Sequence, residues 1–298
     1  MECVLRLSVV ILSFNTRDLL RQCLTALRAS LSGIDSEVFV VDSSSTDGSI
    51  ELVKSEFPEV RHIVTPTFGG FAHANNLALR QASGDYFLLL NSDAIVRPDT
   101  LSKALAFMDS NPRAGGLGPR LTKQDGSLDL ACRRSFPTPE VSFYRLAGLS
   151  RLFPKSRRFG RYNLTYLDPS IQTEVDSVCG AFMLVRRAAV EQVGLLDETF
   201  YFYGEDLDWA YRIKAAGWQM FYVPSIEVLH LKGQTSRQQS TRLIHEFYEA
   251  MRLFYRKHYA ASNPAPLRFA VLRGIDLGES WAMLKNALRP SGSKRVST

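Results

Sequence analysis

The chain has 298 residues, 45% of them hydrophobic and 22% charged, a globular composition that excludes disordered, collagen-like and low-complexity proteins. No apolar run approaches the roughly 18 residues of a membrane span, and four scattered cysteines without a CxxC pair argue against a zinc ribbon or a disulfide scaffold. The formal net charge of +6 favours anionic partners, such as nucleic acid, phospholipid or a nucleotide-activated substrate. With no secretory cleavage pattern after Met1, we expect a cytoplasmic protein.

Hydrophobic periodicity in the first half of the chain predicts strands and helices that alternate. Continuous apolar runs predict strands at residues 7–12, 37–41, 60–64 and 86–90. Apolar residues three and four positions apart predict helices at residues 18–29, 49–56 and 72–81. This order predicts a mostly parallel sheet with helices on both faces. In such sheets ligands bind at the carboxyl ends of the strands.

The second half of the chain is less regular. Its pattern predicts helices at residues 101–108, 188–193, 206–216, 243–259 and 266–288. Strands are predicted at residues 115–121, 177–185 and 219–223, and Pro224 is expected to end the last of them. Residues 132–170 are rich in basic, proline and aromatic residues, which is typical of a long functional loop or a small helical insertion.

The positive charge is concentrated in two stretches. Residues 133–161 contain eight Lys or Arg and one acid, and residues 232–298 contain twelve Lys or Arg and four acids. In the second stretch, residues 266–289 mix these basic side chains with apolar ones. Two interpretations stay open for this helix. It lies in an anionic membrane surface, or it packs on the domain or on a second subunit with its basic side chains solvated.

Polar side chains follow two predicted strands of the first half. Asp42 follows one strand, and Asn91 and Asp93 follow another, so in a parallel sheet they face one cleft. Carboxylates there accept hydrogen bonds from a ribose or a pyrimidine, or hold a divalent cation through oxygen. The alternative is turn chemistry, because Asp, Asn and Ser favour loops in any protein.

A second acidic group follows four consecutive aromatic residues, 200–203. Such an apolar wall raises the pKa of a carboxylate and suits a general base, which points to Glu205 or Asp206. Capping of the helix start is the alternative. Asp208 and Arg212 are four residues apart, which predicts an ion pair. His230 ends a short apolar run, where a structural role and metal ligation are both open.

The motifs together resemble family 2 glycosyltransferases of the GT-A fold, the inverting group that uses nucleotide-sugars, and in particular its rhamnosyltransferase-like branch. The resemblance covers roughly residues 7–259 and depends on motifs in the family's order. They are VVILSFN (9–15), VVDSSSTDGS (40–49), GGFAHANN (69–76), LLLNSD (88–93), GAFM (180–183) and DETFYFYGEDLD (197–208). Residues 230–236 and 254–259 resemble the ends of the rhamnosyltransferase-like members.

The resemblance implies a role for each matching residue. Asp206 is the catalytic base, with Glu205 as its neighbour. Asp93 and His230 hold Mg²⁺ or Mn²⁺ at the diphosphate, although the first acid of the family's DxD motif is replaced by Asn91, which weakens the expected metal site. The remaining nucleotide-sugar contacts fall on the ends of the first strands and on the GGFAHANN segment: Ser13, Phe14, Asn15, Asp42, Asn75, Asn76 and Asn91.

The implied architecture is a GT-A catalytic domain at residues 1–231, followed by a basic helical extension at 232–298. The nucleotide-binding half covers about 1–121 and the acceptor half about 122–231. The implied reaction moves a sugar from a dTDP- or UDP-sugar, with dTDP-rhamnose expected, to a glycan or polyprenyl-diphosphate-linked acceptor in bacterial cell-surface polysaccharide synthesis. The enzyme is expected in the cytoplasm, with peripheral contact to the inner face of the cell membrane through the basic C-terminal region, and a homodimer is left open.

Two other functions remain as alternatives. A nucleotidyltransferase has a similar α/β core, but the first strand lacks the Gly-rich, basic activation loop that such enzymes carry. A nucleic-acid-binding module would use the basic stretches. The aromatic residues, however, cluster beside acids at 200–205, and acids repel phosphate unless a metal intervenes. We therefore expect no nucleic-acid partner.

Overall fold

The computed structural model describes residues 5–231 and 240–288, and within them a single mixed sheet is covered by helices. The strands are β1 (Leu7–Ser13), β2 (Ser36–Asp42), β3 (Arg61–Val64), β4 (Tyr86–Asn91), β5 (Ala94–Val96), β6 (Ala114–Thr122), β7 (Thr173–Val175), β8 (Phe182–Arg186) and β9 (Gln219–His230). The helices are α1 (Arg17–Ser30), α2 (Ser49–Glu56), α3 (Phe71–Leu79), α4 (Thr100–Ser110), α5 (Pro139–Leu146), α6 (Leu149–Leu152), α7 (Arg187–Val193), α8 (Glu205–Ala215), α9 (Ser240–His258) and α10 (Ala265–Ala287).

The sheet has the strand order β3-β2-β1-β4-β8-β6-β9-β5, and β7 pairs with β9 outside this path. The first four strands are parallel, as predicted from the alternation of strands and helices. Strand β8 is antiparallel to both of its neighbours, whereas β6 and β9 are parallel to each other. The apolar side chains of β1, β2 and β4 are almost all buried, as expected of parallel strands covered on both faces.

Strand β9 continues past Pro224, so the prediction that this proline ends the strand is wrong. Pro119 of β6 pairs with Val223, and the next residue, Arg120, pairs with Glu227. Three residues of β9 are therefore extra at this point and form a bulge that contains the proline. A bulge is one of the few places in a sheet where a proline costs no ladder hydrogen bond.

Three further features of the sheet differ from the prediction. Strands β5 and β7 have three residues each, which is too short for a periodicity to be recognised. The strand predicted at 177–185 begins only at Phe182. The preceding Ser177 instead forms an isolated bridge with Arg134, on the far side of the insertion. That insertion, residues 132–170, contains the short helices α5 and α6, as one of the two interpretations expected.

The two C-terminal helices form a hairpin, and the end of α9 packs on helix α8. Asp208 of α8 is fully buried and contacts Lys257 Nζ and His258 Nε2, both at 2.7 Å, from the end of α9. The predicted pair with Arg212 is confirmed at 2.8 Å. Among the described residues, no helix is both long and apolar enough to cross a membrane.

Helix α10 packs on α9 through one face only, which supports the interpretation that it packs on the domain. Arg252 of α9 binds Asp276 at 3.0 Å and also contacts Glu279. The opposite face of α10 exposes large apolar side chains. They are Phe269, Leu277, Trp281, Leu284 and Leu288. The predicted division into a domain at 1–231 and an extension at 232–298 stays a prediction, and residues 232–239 and 289–298 of that extension lie outside the described residues.

The contacts of Asp208 predict a large loss of stability when this carboxylate is removed. Asp208→Ala leaves Arg212, Lys257 and His258 without their shared buried partner, and breaking a buried pair in this way costs about 3–5 kcal/mol. Urea denaturation measures the difference. As a control, Asp18→Ala removes an exposed carboxylate that lies 3.7 Å from Arg21 and should change the free energy of unfolding far less. Equal effects of the two substitutions would contradict this account of how α9 is attached.

Candidate active site

Three predicted site residues meet at the carboxyl edge of the parallel strands. Ser13 ends β1 and lies opposite Asp42, which ends β2. Asn91 ends β4 and lies opposite Leu12 of β1. This is the arrangement expected from the sequence, because parallel strands present their carboxyl ends at one edge of the sheet.

The loops after β1 and β2 are held together by hydrogen bonds to Asp42 and Asn15. Ser45 donates from its backbone N–H and its hydroxyl to the two carboxylate oxygens of Asp42, at 2.7 and 2.6 Å. The Asn15 side chain accepts a hydrogen bond from the Thr46 N–H at 2.8 Å, and Asn15 itself has a φ of 51°. Phe14 is half-buried. The turn chemistry that was the alternative for Asp42 is therefore present.

The two asparagines of α3 are buried, and Asn76 is fully occupied by contacts within the protein. Its amide nitrogen donates to Leu196 O and to Glu198 Oε1, each at 2.9 Å, and its oxygen accepts from the Leu196 N–H at 3.2 Å. Asn75 donates to Phe71 O at 2.8 Å. Nucleotide binding by the side chain of Asn76 would require these hydrogen bonds to break, so the structure assigns it to fastening α3 to residues 196–198.

His230 is brought to Asp93 by the pairing of β5 with β9. Ala94 lies opposite His230 in this antiparallel pair, and the Leu231 N–H donates to Asp93 O at 2.9 Å. As a result, His230 Nε2 lies 3.3 Å from Asp93 Oδ1. On its other side, His230 Nδ1 lies 3.2 Å from Asp129 Oδ2. All three side chains are largely buried.

The Asp93–His230 pair fits a divalent cation. Two donor atoms bound at right angles to one ion at about 2.1 Å lie about 3 Å apart, close to the observed 3.3 Å. Asp129 is placed as the carboxylate that commonly orients a metal-bound histidine from its second nitrogen. In the described parts of the chain, no group of three or more His, Cys, Asp or Glu side chains could hold an ion.

Without a metal, His230 holds a proton firmly. Burial lowers the pKa of this histidine, but the hydrogen bonds and negative charges of Asp129 and Asp93 outweigh burial and raise the pKa to about 9. Metal binding at Nε2 must therefore release this proton, as is usual when an imidazole becomes a ligand.

Asp206, the predicted base, is held at the start of α8 by three donors. Its Oδ2 accepts from Arg134 Nη2 at 2.7 Å and from the Gly180 N–H at 2.9 Å, and its Oδ1 accepts from the Leu207 N–H at 2.7 Å. A carboxylate offers about four acceptor positions. One position of Asp206 is left for the proton of an incoming hydroxyl.

Glu205 lies beside Asp206 and differs from it in its partners. Its Oε2 is buried without a hydrogen-bond partner. Burial, followed by the nearby charge of Asp206, raises the pKa of Glu205 to about 8. The expectation that the aromatic residues 200–203 create a site with a raised carboxylate pKa is thus met at Glu205. The chain enters α8 through Tyr203 and Gly204, which both have a positive φ.

Sequence reasoning missed two residues of this site, Arg134 and Asp129. Arg134 was counted as part of a basic stretch, yet its guanidinium is buried against Asp206 and Ser177 Oγ. Asp129 belongs to none of the motifs of the sequence analysis. The sequence around Arg134, which follows Cys132 and Arg133, does not identify a buried arginine, because arginine is rarely buried in proteins.

Comparison with known proteins identifies the family of the chain. The sequence model described as Glycosyl transferase family 2 matches residues 8–194. The N-acetylglucosaminyl-diphospho-decaprenol L-rhamnosyltransferase of Mycobacterium tuberculosis is 29% identical over 270 residues, covering 87% of each chain. The rhamnosyltransferase WbbL of Escherichia coli is 30% identical over 179 residues, covering 56% of this chain and 63% of WbbL.

A solved structure shows the same fold. The mannosyltransferase PcManGT from Pyrobaculum calidifontis, in complex with GDP-Man and Mn²⁺, superimposes with a TM-score of 0.55 and 18% identity. The match covers 97% of this chain and 77% of PcManGT. The predicted GT-A fold is thereby confirmed.

The geometry around His230 predicts that Asp129→Asn weakens metal binding about tenfold to a hundredfold. An amide nitrogen facing Nδ1 favours the tautomer with its proton on Nε2, which removes the lone pair that faces Asp93. Titration of Mn²⁺ in the presence of UDP or dTDP, followed by electron paramagnetic resonance, measures the affinity. Asp125→Asn, in the adjacent exposed turn, is the matched control, and an Asp129 variant with the control's affinity would contradict the role of Asp129.

Glu205 predicts a pH dependence of stability. Its pKa is about 8 in the folded chain and about 4.5 when exposed, so the folded state binds the extra proton between these values. The stabilisation of the folded state by the protonated Glu205 is complete below about pH 4.5 and is lost as the pH rises through 8. Glu205→Gln should remove this decline. Urea midpoints of both proteins between about pH 5 and pH 9 measure it, and parallel curves would contradict it, since His230 contributes equally to both proteins.

Proposed function

Because the chain belongs to glycosyl transferase family 2, we propose that it transfers rhamnose from dTDP-rhamnose to a polyprenyl-diphosphate-linked glycan, with inversion at the sugar carbon. The Asp93–His230 pair at the carboxyl edge of the sheet is the observation that carries this proposal. The donor and the acceptor class are supported by the mycobacterial relative, which is named for a rhamnosyl transfer to a decaprenol-diphosphate-linked sugar.

Each part of the site has a task in this reaction. Residues 13–15 and Asp42 line the nucleoside end of the cleft, and Asp93 and His230 would hold Mg²⁺ or Mn²⁺. When bound, the cation neutralises the diphosphate as it leaves. Asp206 takes the proton of the acceptor hydroxyl as that oxygen attacks the sugar carbon from the face opposite the diphosphate.

Arg134 and Glu205 set the properties of the base. The three donors on Asp206 fix its orientation, so that its remaining acceptor position is directed before the acceptor arrives. Glu205 carries a proton at neutral pH because of its raised pKa. A neutral neighbour avoids a second negative charge beside the base, which would otherwise repel the diphosphate of the donor.

The cellular setting follows from the acceptor. A polyprenyl-linked glycan is embedded in a bilayer, so we propose that the enzyme works at the inner face of the cell membrane in cell-surface polysaccharide synthesis. Contact of the basic C-terminal region with this membrane stays a prediction, since the packing of α10 on α9 supports the other interpretation of this helix. A homodimer stays an untested prediction, and no observation favours nucleotidyl transfer or nucleic-acid binding.

The test of this function begins with nucleotide binding and ends with transfer. Thermal unfolding is followed with dTDP, UDP and GDP, each with and without Mn²⁺ or Mg²⁺, because a ligand that binds only the folded state raises the melting temperature. We expect a metal-dependent rise with dTDP that exceeds the rise with GDP. Radiolabelled dTDP-rhamnose and a polyprenyl-diphosphate-linked N-acetylglucosamine then test transfer. A metal-dependent rise with dTDP but no transfer would reject the sugar or the acceptor while leaving the nucleotide site intact.

Asp206→Asn separates catalysis from donor binding. The amide cannot accept the hydroxyl proton, so transfer should fall by about a hundredfold to ten-thousandfold, while the melting-temperature rise with dTDP and Mn²⁺ persists. Asp99→Asn, at the exposed residue that precedes α4, is the control for substituting a carboxylate. Equal loss of transfer and of nucleotide binding would remove the assignment of Asp206 as the base.

A further inference from the structure

The segment that contains α5 and α6, residues 139–161, exposes large apolar side chains. Phe143 and Leu152 are 61% and 69% exposed, and Leu146 and Phe153 are also exposed. The same segment buries Val141 and Tyr144 and is capped by Thr138 at the start of α5. The apolar exposure therefore belongs to an ordered helical segment with its own buried face.

The α5–α6 segment is also strongly basic. It contains six Lys or Arg and one acid, a formal charge of +5. The acid, Glu140, is already bound by Arg158 at 3.1 Å and by the Tyr144 hydroxyl at 2.6 Å. In the described part of the chain, no ion pair involves the exposed side chains of Arg151, Lys155 or Arg157.

The α5–α6 segment begins and ends beside the predicted base. The Ser135 N–H, just before the segment, donates to Tyr162 O, just after it, at 2.8 Å. The residue that precedes Ser135 is Arg134, whose guanidinium binds Asp206. The two ends of the segment therefore meet next to the residue that binds the predicted base.

We propose that the α5–α6 segment docks on the anionic bilayer that carries the acceptor, a proposal that rests on the lipid-linked acceptor of the proposed function. A segment that exposes apolar side chains together with unpaired cations, and whose one acid is already bound, suits an interface of acyl chains and anionic headgroups. Each cation near such a surface contributes roughly fivefold to partitioning. Docking there holds Asp206 close to the headgroup level, where the acceptor diphosphate lies.

Co-sedimentation of the full chain with vesicles tests the docking surface. Vesicles of phosphatidylcholine alone are compared with an equal mixture of phosphatidylcholine and phosphatidylglycerol. We expect binding to the mixture only. The triple variant R151Q/K155Q/R157Q should lower partitioning about a hundredfold, and F143S/L152S should lower it at least tenfold. Both variants replace exposed side chains, and unaltered melting temperatures confirm that they fold.

Two matched variants locate the contact. V64S removes an exposed apolar side chain from edge strand β3 and should bind like the original chain. L277S/W281S removes side chains of α10 that are 71% and 68% exposed, closely matching Phe143 and Leu152. Loss of binding in the α10 variant alone would move the contact to the C-terminal hairpin and overturn the proposal. A dimer in light scattering that F143S/L152S makes monomeric, without vesicle binding, would overturn it in favour of a second copy.

Transfer assays separate this proposal from the proposed function. With a short-chain, water-soluble acceptor analogue, the α5–α6 variants should keep the original rate. With the acceptor embedded in anionic vesicles, their rate should fall in proportion to vesicle binding. Vesicle binding through this segment without transfer to either acceptor would reject the proposed acceptor and leave the docking surface standing. Full binding and full transfer by both α5–α6 variants would overturn the docking surface.

Discussion

The pairing of β9 with three other strands is the constraint on which the site depends. Its first part pairs with β6 and β7, and its last part pairs with β6 and β5. The bulge at Pro224 changes the register between the two parts, so that His230 arrives opposite Ala94 and beside Asp93. A one-residue slip would turn the imidazole to the other face of the sheet. The Asp93–His230 pair is therefore a consequence of sheet register rather than of a local sequence motif.

Asp206, the candidate base, depends on a buried ion pair rather than on strand pairing. Asp206 and Arg134 are 72 residues apart in the chain and meet in a buried ion pair that the Gly180 N–H completes. Burying a guanidinium is costly, and here its Nε has no acceptor at all. This cost is offset by the rest of the fold and leaves the carboxylate in one orientation. The loops after β1 and β2, in contrast, are joined by hydrogen bonds of Asn15 to Ser45 and Thr46.

The predictable parts of the structure are those whose own residues carry the pattern. Strands β1, β2 and β4 and helices α1 to α3 were predictable because their apolar residues form continuous runs or recur at helical spacing, even where the paired strand is distant, as Tyr86 is from Leu7. Asp42, Asn91 and Asp93 could be placed at one edge because parallel strands share a direction. Strand β5, the extension of β9 and the roles of Arg134 and Asp129 could not, since each depends on a partner from a distant part of the chain. Asn76 was assigned to the nucleotide from its motif, but the motif does not show that its amide is bonded to residues 196–198.

The closure of the α5–α6 segment by the Ser135–Tyr162 hydrogen bond has a consequence for how such enzymes diverge. Because the two ends of the segment meet, its interior can lengthen, shorten or be exchanged without displacing Arg134. Doubling the length of such a loop costs only about 0.6 kcal/mol in closure entropy. Selection is thus able to remodel the surface of this segment as a module, while the strands that carry the candidate nucleotide and metal residues stay unchanged.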